Sequence, residues 1–346
     1  MIHDLATRVL HRYEPERAHE LTIKALKAGL GPKAGPRFDP VLESTLAGIR
    51  LPNPIGLAPG FDKNAEVFAP MLRAGFGFVE CGTVTPKPQE GNPRPRLFRL
   101  AEDQAVINRM GFNNQGLEPF AERLARRGRG VVGANIGANK DSDDRIADYV
   151  TGLTGLWGLC DYFTINISSP NTPGLRALQT RDALEELLGR ISEARAKLPA
   201  RGRVPVFLKV APDLDEAEIE AVVETAVAED LAAIIVSNTT LSRAGLSSPQ
   251  RDEAGGLSGA PLFELSTQVL RQFHAAADGR IALIGAGGVG SGEAAYAKIR
   301  AGASAVQLYS ALVYQGPGLV RRIARDLAAR LKADGFLSVA EAVAAG

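Results

Sequence analysis

Eight apolar, β-branched runs recur along this chain at regular intervals, and they constrain its fold more than any other feature. They occupy residues 55–59, 76–82, 131–137, 162–168, 206–211, 233–238, 281–285 and 305–309. Segments with a helical period lie between most of them, as at 65–74, 182–197, 215–229 and 292–300. The runs are nearly continuous in apolar residues, as expected of strands covered on both faces. Strict alternation of strand and helix predicts a parallel sheet with right-handed crossovers. Eight such units close into a (β/α)8 TIM barrel of the α/β class. A doubly wound open sheet is the alternative, and eight repeats favour closure.

Two parts of the sequence fall outside the repeat. The first is residues 1–40, expected to form a small N-terminal helical extension ahead of a barrel domain at 41–346. In it, Leu5, Val9 and Leu10 share a face, Pro15 marks a helix start, and Ala18, Leu21, Ala25 and Leu26 follow at helical spacing. Gly29, Gly31, Pro32, Gly35 and Pro36 then read as a linker. With seven Lys/Arg against five Asp/Glu, the segment suits either a cap on the barrel's outer helices or an amphipathic element docking on a membrane surface. The second is the long link 86–129. Its pieces 95–100 and 105–115 flank Glu102-Asp103 and predict a hairpin over the barrel mouth. Long insertions of this kind are usually functional.

Reactive groups of such barrels sit at the C-terminal ends of the strands. The fourth run ends abruptly in Asn166-Ile-Ser-Ser-Pro-Asn171. Phe163, Ile165 and Ile167 alternate there with polar residues, and Pro170 stops the ladder. Taken alone this is an Asn/Ser/Pro turn, but similar polar endings recur. They include Ala58-Pro-Gly60-Phe-Asp-Lys63, Gly82-Thr83, Asn135, Lys209, Ser237-Asn238-Thr239, Gly285-Ala-Gly-Gly288 and Tyr309-Ser310. Amides, hydroxyls and two lysines with few carboxylates suit an anionic, planar, hydrogen-bonding ligand rather than a metal. Gly285, Gly287 and Gly288 would let backbone N–H groups approach a phosphate. The run Gly255-Gly-Leu-Ser-Gly259 reads as a second such loop or a flexible linker. Lys209 is expensive to bury without an anionic partner. It suits either a Schiff-base lysine or a donor to a flavin ring, and its amide-rich surroundings favour the flavin.

Bulk properties exclude several classes. Hydrophobic residues make up 45% and charged residues 23%, enough for a sizeable core and too apolar for disorder. A net charge of +1 lacks the basic excess of a nucleic-acid-binding chain. Cys81 and Cys160 suit a reduced compartment and form no metal-ligand pattern, and the four histidines are scattered. No run reaches the length of a spanning helix and no signal-peptide core follows Met1. The expectation is a protein of the cytoplasm or the cytoplasmic face of a membrane.

The motifs together resemble dihydroorotate dehydrogenases of the membrane-associated, quinone-reducing class. The resemblance extends from Pro15-Glu-Arg-Ala-His-Glu20 to Tyr309-Ser310. Gly82-Thr-Val-Thr-Pro86, Pro95-Arg-Leu-Phe-Arg-Leu100, Ile107-Asn-Arg-Met-Gly-Phe-Asn-Asn114, Ile165-Asn-Ile-Ser-Ser-Pro-Asn171 and Gly255-Gly-Leu-Ser-Gly259 carry it. It implies bound FMN and oxidation of dihydroorotate to orotate in pyrimidine biosynthesis. Ser169 resembles the family's base. Lys63, Asn108, Asn166, Asn171, Asn238 and Thr239 resemble its substrate contacts, together with the backbone of Arg109, Met110, Gly111 and Phe112. Ala58, Gly60, Thr83, Asn135, Asn166, Lys209, Ser237, Gly259, Gly288, Tyr309 and Ser310 resemble the FMN shell. Ser237 stands where threonine is frequent, and both supply a hydroxyl. The class follows from Ser169, where the soluble class uses cysteine, and from the N-terminal extension. That extension implies a tunnel for a membrane quinone, with His19, Arg99 and Tyr309 near the quinone head, and peripheral attachment to the membrane.

Overall fold

The computed structural model describes residues 9–32, 37–199 and 204–345. Leu5, Gly35 and Pro36 of the N-terminal reading lie outside the described residues. In chain order the strands are β1 (Ser44–Leu46), β2 (Ile49–Leu51), β3 (Ile55–Leu57), β4 (Phe78–Val84), β5 (Leu97–Leu100), β6 (Ala105–Asn108), β7 (Val131–Ile136), β8 (Tyr162–Asn166), β9 (Val206–Val210), β10 (Ala233–Val236), β11 (Gly256–Gly259), β12 (Ala282–Ala286) and β13 (Ala305–Leu308).

The eight expected strands close a parallel barrel in the order β3-β4-β7-β8-β9-β10-β12-β13, with β13 pairing back to β3. Helix α1 (Pro15–Lys27) packs against β5 over the mouth, and helices cover the barrel's outside, among them α2 (Phe68–Ala74), α3 (Leu117–Ala125), α4 (Arg145–Gly155), α5 (Arg181–Ala196), α6 (Glu216–Ala228), α7 (Phe263–Ala277) and α8 (Gly292–Arg300). The outer core lies between these helices and the strands. Inside the barrel a second core packs Phe78, Tyr162 and Phe207 with Ile235 and Ile284. Phe207 and Tyr162 stack with ring centroids 4.5 Å apart, so the lower barrel is filled and a ligand can enter only from the strand ends.

The β1–β2 hairpin, which sequence reasoning missed, adds Leu46 and Leu51 to this inner core. Its turn is Ala47-Gly48, both with positive φ. An alanine there is a weak hairpin signal, because side chains with a Cβ disfavour that region.

The expected hairpin over the mouth is present as β5 and β6. The loop or linker read at 255–259 is instead a third strand of that sheet, β11, antiparallel to β6. Its glycines serve close packing of backbones. A Cβ at Gly255 would stand 2.3 Å from the Asn108 carbonyl oxygen, and one at Gly259 would stand 2.4 Å from that of Gln104. Strand β4 also runs two residues further than expected, so Thr83 lies within it.

The N-terminal helix α1 begins at Pro15, with the Glu14 carboxylate accepting the N–H groups of Glu16 and Arg17. Ala18 and Leu26 are buried, and Glu16 is buried with them. Of the expected apolar face, Leu21 and Ala25 border an open cavity.

Candidate functional site

Polar side chains at the upper ends of the strands form one connected layer. Glu80, fully buried on β4, accepts from Asn135 Nδ2 at 2.7 Å, Gln307 Nε2 at 2.6 Å and the Tyr162 hydroxyl at 3.2 Å. Asn135 Oδ1 accepts in turn from Thr83 Oγ1 at 2.6 Å and Asn166 Nδ2 at 3.2 Å. Asn166 Oδ1 accepts from Ser168 Oγ at 3.0 Å, and that hydroxyl accepts from Asn238 Nδ2 at 2.9 Å. Side chains from five of the barrel strands and their exits are thereby held in fixed orientations. Lys209 rises into this layer from β9. Burial lowers its pKa, and the Glu80 charge opposes that shift. Among the described residues its amine makes no hydrogen bond.

Above the layer opens a cavity of about 980 Å³. On one wall stand Ser169, Asn171, Asn108, Asn238 and Thr239, with Lys63 and the loop residues Met110, Gly111 and Phe112. Ser169 is 6% exposed, and its Oγ accepts the Asn171 N–H at 3.3 Å. Asn171 Nδ2 donates to Asn108 Oδ1 at 3.2 Å. Burial depresses the Lys63 amine to about 8, the Glu16 charge opposing the shift. Its Nζ donates to the Gly60 carbonyl at 2.8 Å.

On another wall Ala58, Gly60, Thr83, Lys209 and Ser237 lead to the turn at Gly287 and Gly288, beside Gly259, Tyr309 and Ser310. Gly288 has φ +74°, and a Cβ there would lie 2.4 Å from Phe263 Cβ, so the turn presses against the start of α7. Ser310 Oγ donates to Ser258 Oγ at 2.8 Å.

The cavity continues between the barrel and the N-terminal segment, where Val9, Leu10, Leu21, Ala25 and Leu30 line it. His19 and Arg99 border this passage. Burial and the nearby Lys63 charge pull the His19 pKa well below 6.5. Its Nδ1 lies 3.3 Å from the Tyr309 hydroxyl, and its ring meets Phe61 edge-on at 5.5 Å. Arg99 Nη1 donates to the His11 carbonyl at 3.0 Å.

Two of the residues picked from sequence stand off the cavity. Asn135 is fully buried one layer below it. Arg109 turns outward, pairing with Glu253 at 2.6 Å over the Phe98 ring at 4.5 Å, while its carbonyl accepts from Asn92. Sequence reasoning in turn missed Glu80, Gln307 and Arg176. Arg176 ties the fourth and sixth strand exits together by donating to the carbonyls of Ser168 and Thr239, with Asp213 on its remaining edge. The signal for Glu80 was a carboxylate inside an otherwise apolar strand.

The residues present fit a flavin mononucleotide. Gln307 Oε1 and Thr239 Oγ1 are buried without a hydrogen-bond partner, which is unfavourable unless a ligand supplies one. Lys209 lines the same cavity, and the Gly287-Gly288 turn exposes backbone where a phosphate can approach.

The dihydroorotate dehydrogenase family model matches residues 41–331. The chain is 56% identical to the dihydroorotate dehydrogenase (quinone) of Cereibacter sphaeroides, over 99% of this chain and 96% of that one. It is 55% identical to the Azorhizobium caulinodans protein of the same name, over 99% of both. The ligand-free dihydroorotate dehydrogenase of Eimeria tenella superimposes with a TM-score of 0.92 at 40% identity, covering 95% of this chain and 98% of that one.

Proposed function

Because this chain belongs to the dihydroorotate dehydrogenase family, we propose that it oxidises dihydroorotate to orotate in pyrimidine biosynthesis and delivers the electrons to a quinone. FMN is its resident cofactor in this reading. The observation that carries it is the single cavity running from Ser169 and Lys209 to the apolar passage under α1. Substrate and a lipid-soluble acceptor can then reach one cofactor from two sides.

Bound FMN would supply an acceptor for the hydride leaving C6 of the substrate and a relay for its electrons to a quinone. Ala58, Gly60, Thr83, Asn166, Lys209, Ser237, Gly259, Gly288, Tyr309 and Ser310 would hold it, with Asn135 orienting Thr83 and Asn166 from below. Lys209 supplies a positive charge for an electron-rich ring.

Ser169 removes the proton from C5. A serine is a weak base at its ordinary pKa, so position and water exclusion must supply much of the effect. Arg176 fixes the Ser168 carbonyl and hence the turn that carries Ser169. Lys63 pairs with the substrate carboxylate. Asn108, Asn166, Asn171, Asn238 and Thr239 supply donors and acceptors for the ring, with backbone support from Met110, Gly111 and Phe112. At neutral pH His19 is uncharged, and with Tyr309 and Arg99 it offers hydrogen bonds to a quinone head.

Val9 and Leu30, which line the N-terminal end of the passage, are 48% and 71% exposed. No helix among the described residues is long and apolar enough to cross a membrane. The exposed apolar rim supports peripheral attachment at the cytoplasmic face of the cell membrane.

Anaerobic titration of the purified protein with dihydroorotate, followed by visible flavin absorbance, tests the reading. Bleaching that a soluble quinone reverses supports it. Bound flavin that dihydroorotate fails to bleach would refute the substrate.

A further inference from the structure

Lys298, on α8, has none of its surface exposed and does not line the cavity. No carboxylate of the described residues lies within 4.0 Å of its amine. Instead its Nζ donates to Ser266 Oγ at 2.7 Å and sits 5.4 Å from the centre of the Phe263 ring. A lysine buried in this way is costly unless an anion comes near. Burial and the Arg271 charge pull its pKa down to about 7 against the pull of Glu264.

The direction in which such an anion would lie follows from the hydroxyl between. Ser266 Oγ is 2.7 Å from the Leu262 carbonyl oxygen and 3.1 Å from that of Gly287. It therefore accepts from Lys298 and shares its one proton between these two carbonyls, the Leu262 oxygen being the nearer. Gly287 faces the cavity, and a Cβ on it would stand 2.7 Å from Ser266 Oγ. The next residue, Gly288, presses on Phe263, whose ring lies beside the lysine. The aliphatic stem of Lys298 also packs on Gly285, where a Cβ would meet Lys298 Cβ at 3.1 Å. The amine is thus one hydroxyl away from the glycine turn, on the side away from the cavity.

We infer that Lys298 is a positioning residue for the phosphate of the cofactor: through Ser266 it orients the Gly287-Gly288 turn, and its charge attracts the phosphate from behind the backbone. This rests on the FMN reading given above. With the phosphate in place the buried ammonium gains a counter-charge beyond the distant pull of Glu264.

The test is flavin binding to apoprotein, read by quenching of flavin fluorescence, with FMN and riboflavin compared in the wild-type chain and in Lys298→Met. The expected result is FMN binding weakened roughly tenfold or more, as for loss of a charge–charge attraction inside a protein, with riboflavin binding unchanged. Equal weakening of both flavins, or of neither, overturns the inference. If the methionine variant does not fold, Ser266→Ala decides, because it keeps the lysine and cuts its link to Gly287. Selective loss of FMN supports the role, and equal or absent loss overturns it. Wild-type protein that binds neither flavin overturns the FMN reading itself, and this inference with it.

Discussion

Glu16 and Arg96 form a buried ion pair between the N-terminal helix and the long connection over the barrel mouth. Arg96 Nη2 lies 2.7 Å from Glu16 Oε1, and Arg96 Nε bonds both carboxylate oxygens, at 3.2 and 3.1 Å. The remaining edge of the guanidinium holds the carbonyls of Glu90 and Asn92 at 2.6 and 2.9 Å. Asn92 Nδ2 then donates to the Asn171 carbonyl at 3.1 Å. The helix under which a quinone would pass is therefore tied by short polar links to the wall that would hold the substrate.

Replacing Glu16 with Gln leaves the Arg96 charge buried and uncompensated, a change that costs about 3–5 kcal/mol. Denaturant unfolding should show this loss, and limited proteolysis should cut first within the N-terminal segment. Burial alone would raise the Glu16 pKa, but Arg96 and Arg94 outweigh it and hold the pKa below 4.5. The pair's contribution is accordingly complete above pH 4.5 and is lost as acid protonates Glu16 below that value. N-terminal protection that stays unchanged as the pH is taken progressively down from 7 to well below 4.5 would contradict this.

Removing residues 1–35 should abolish quinone reduction and spare reduction of the flavin by dihydroorotate. Stopped-flow measurement of the two half-reactions separates the effects. Loss of both together would mean that the segment serves the barrel's folding instead.

Ser169→Ala should retain flavin and orotate binding while dihydroorotate-driven flavin reduction at neutral pH slows by roughly 10²–10⁴-fold, the usual span for a general base. Near-normal reduction would remove Ser169 from that role.

Lys63 carries its charge below about pH 8 and loses it above, because burial has lowered its pKa to that value. An anionic ligand paired with it should bind tightly below pH 8 and progressively more weakly above. Orotate dissociation constants measured from pH 6 to 9.5 should show this limb. In Lys63→Met the limb should vanish and binding at pH 7 should weaken by roughly 10–100-fold, as for a lost charged hydrogen bond.

Glu80→Gln should destabilise the barrel by about 1–3 kcal/mol in denaturant unfolding, the usual cost of leaving a buried donor unsatisfied. Three donors converge on the carboxylate, and a glutamine would turn an NH2 group toward one of them while removing the buried charge nearest Lys209 in effect. Unchanged stability would show that the carboxylate is replaceable in this layer.

The barrel was legible because its signals are local. Buried parallel strands need apolar runs of about five residues, and crossover helices need an amphipathic period, so the eight strand runs and the helical segments between most of them announced themselves. Polar residues at the ends of those runs, including Ser169, Asn171, Lys209 and Asn238, were conspicuous for the same reason. What lay hidden were contacts between residues that only closure of the barrel brings together. Strand β11 exists because β6 presents an edge to it, and its glycines carry no periodic pattern. Glu80 meets Gln307 across 227 positions of sequence, and Glu16 meets Arg96 across 80. Local chain chemistry thus determined the repeating elements and the residues at their ends. Tertiary structure alone decided which buried charges are compensated and how α1 borders the cavity, because burial and partner geometry arise only once distant segments pack.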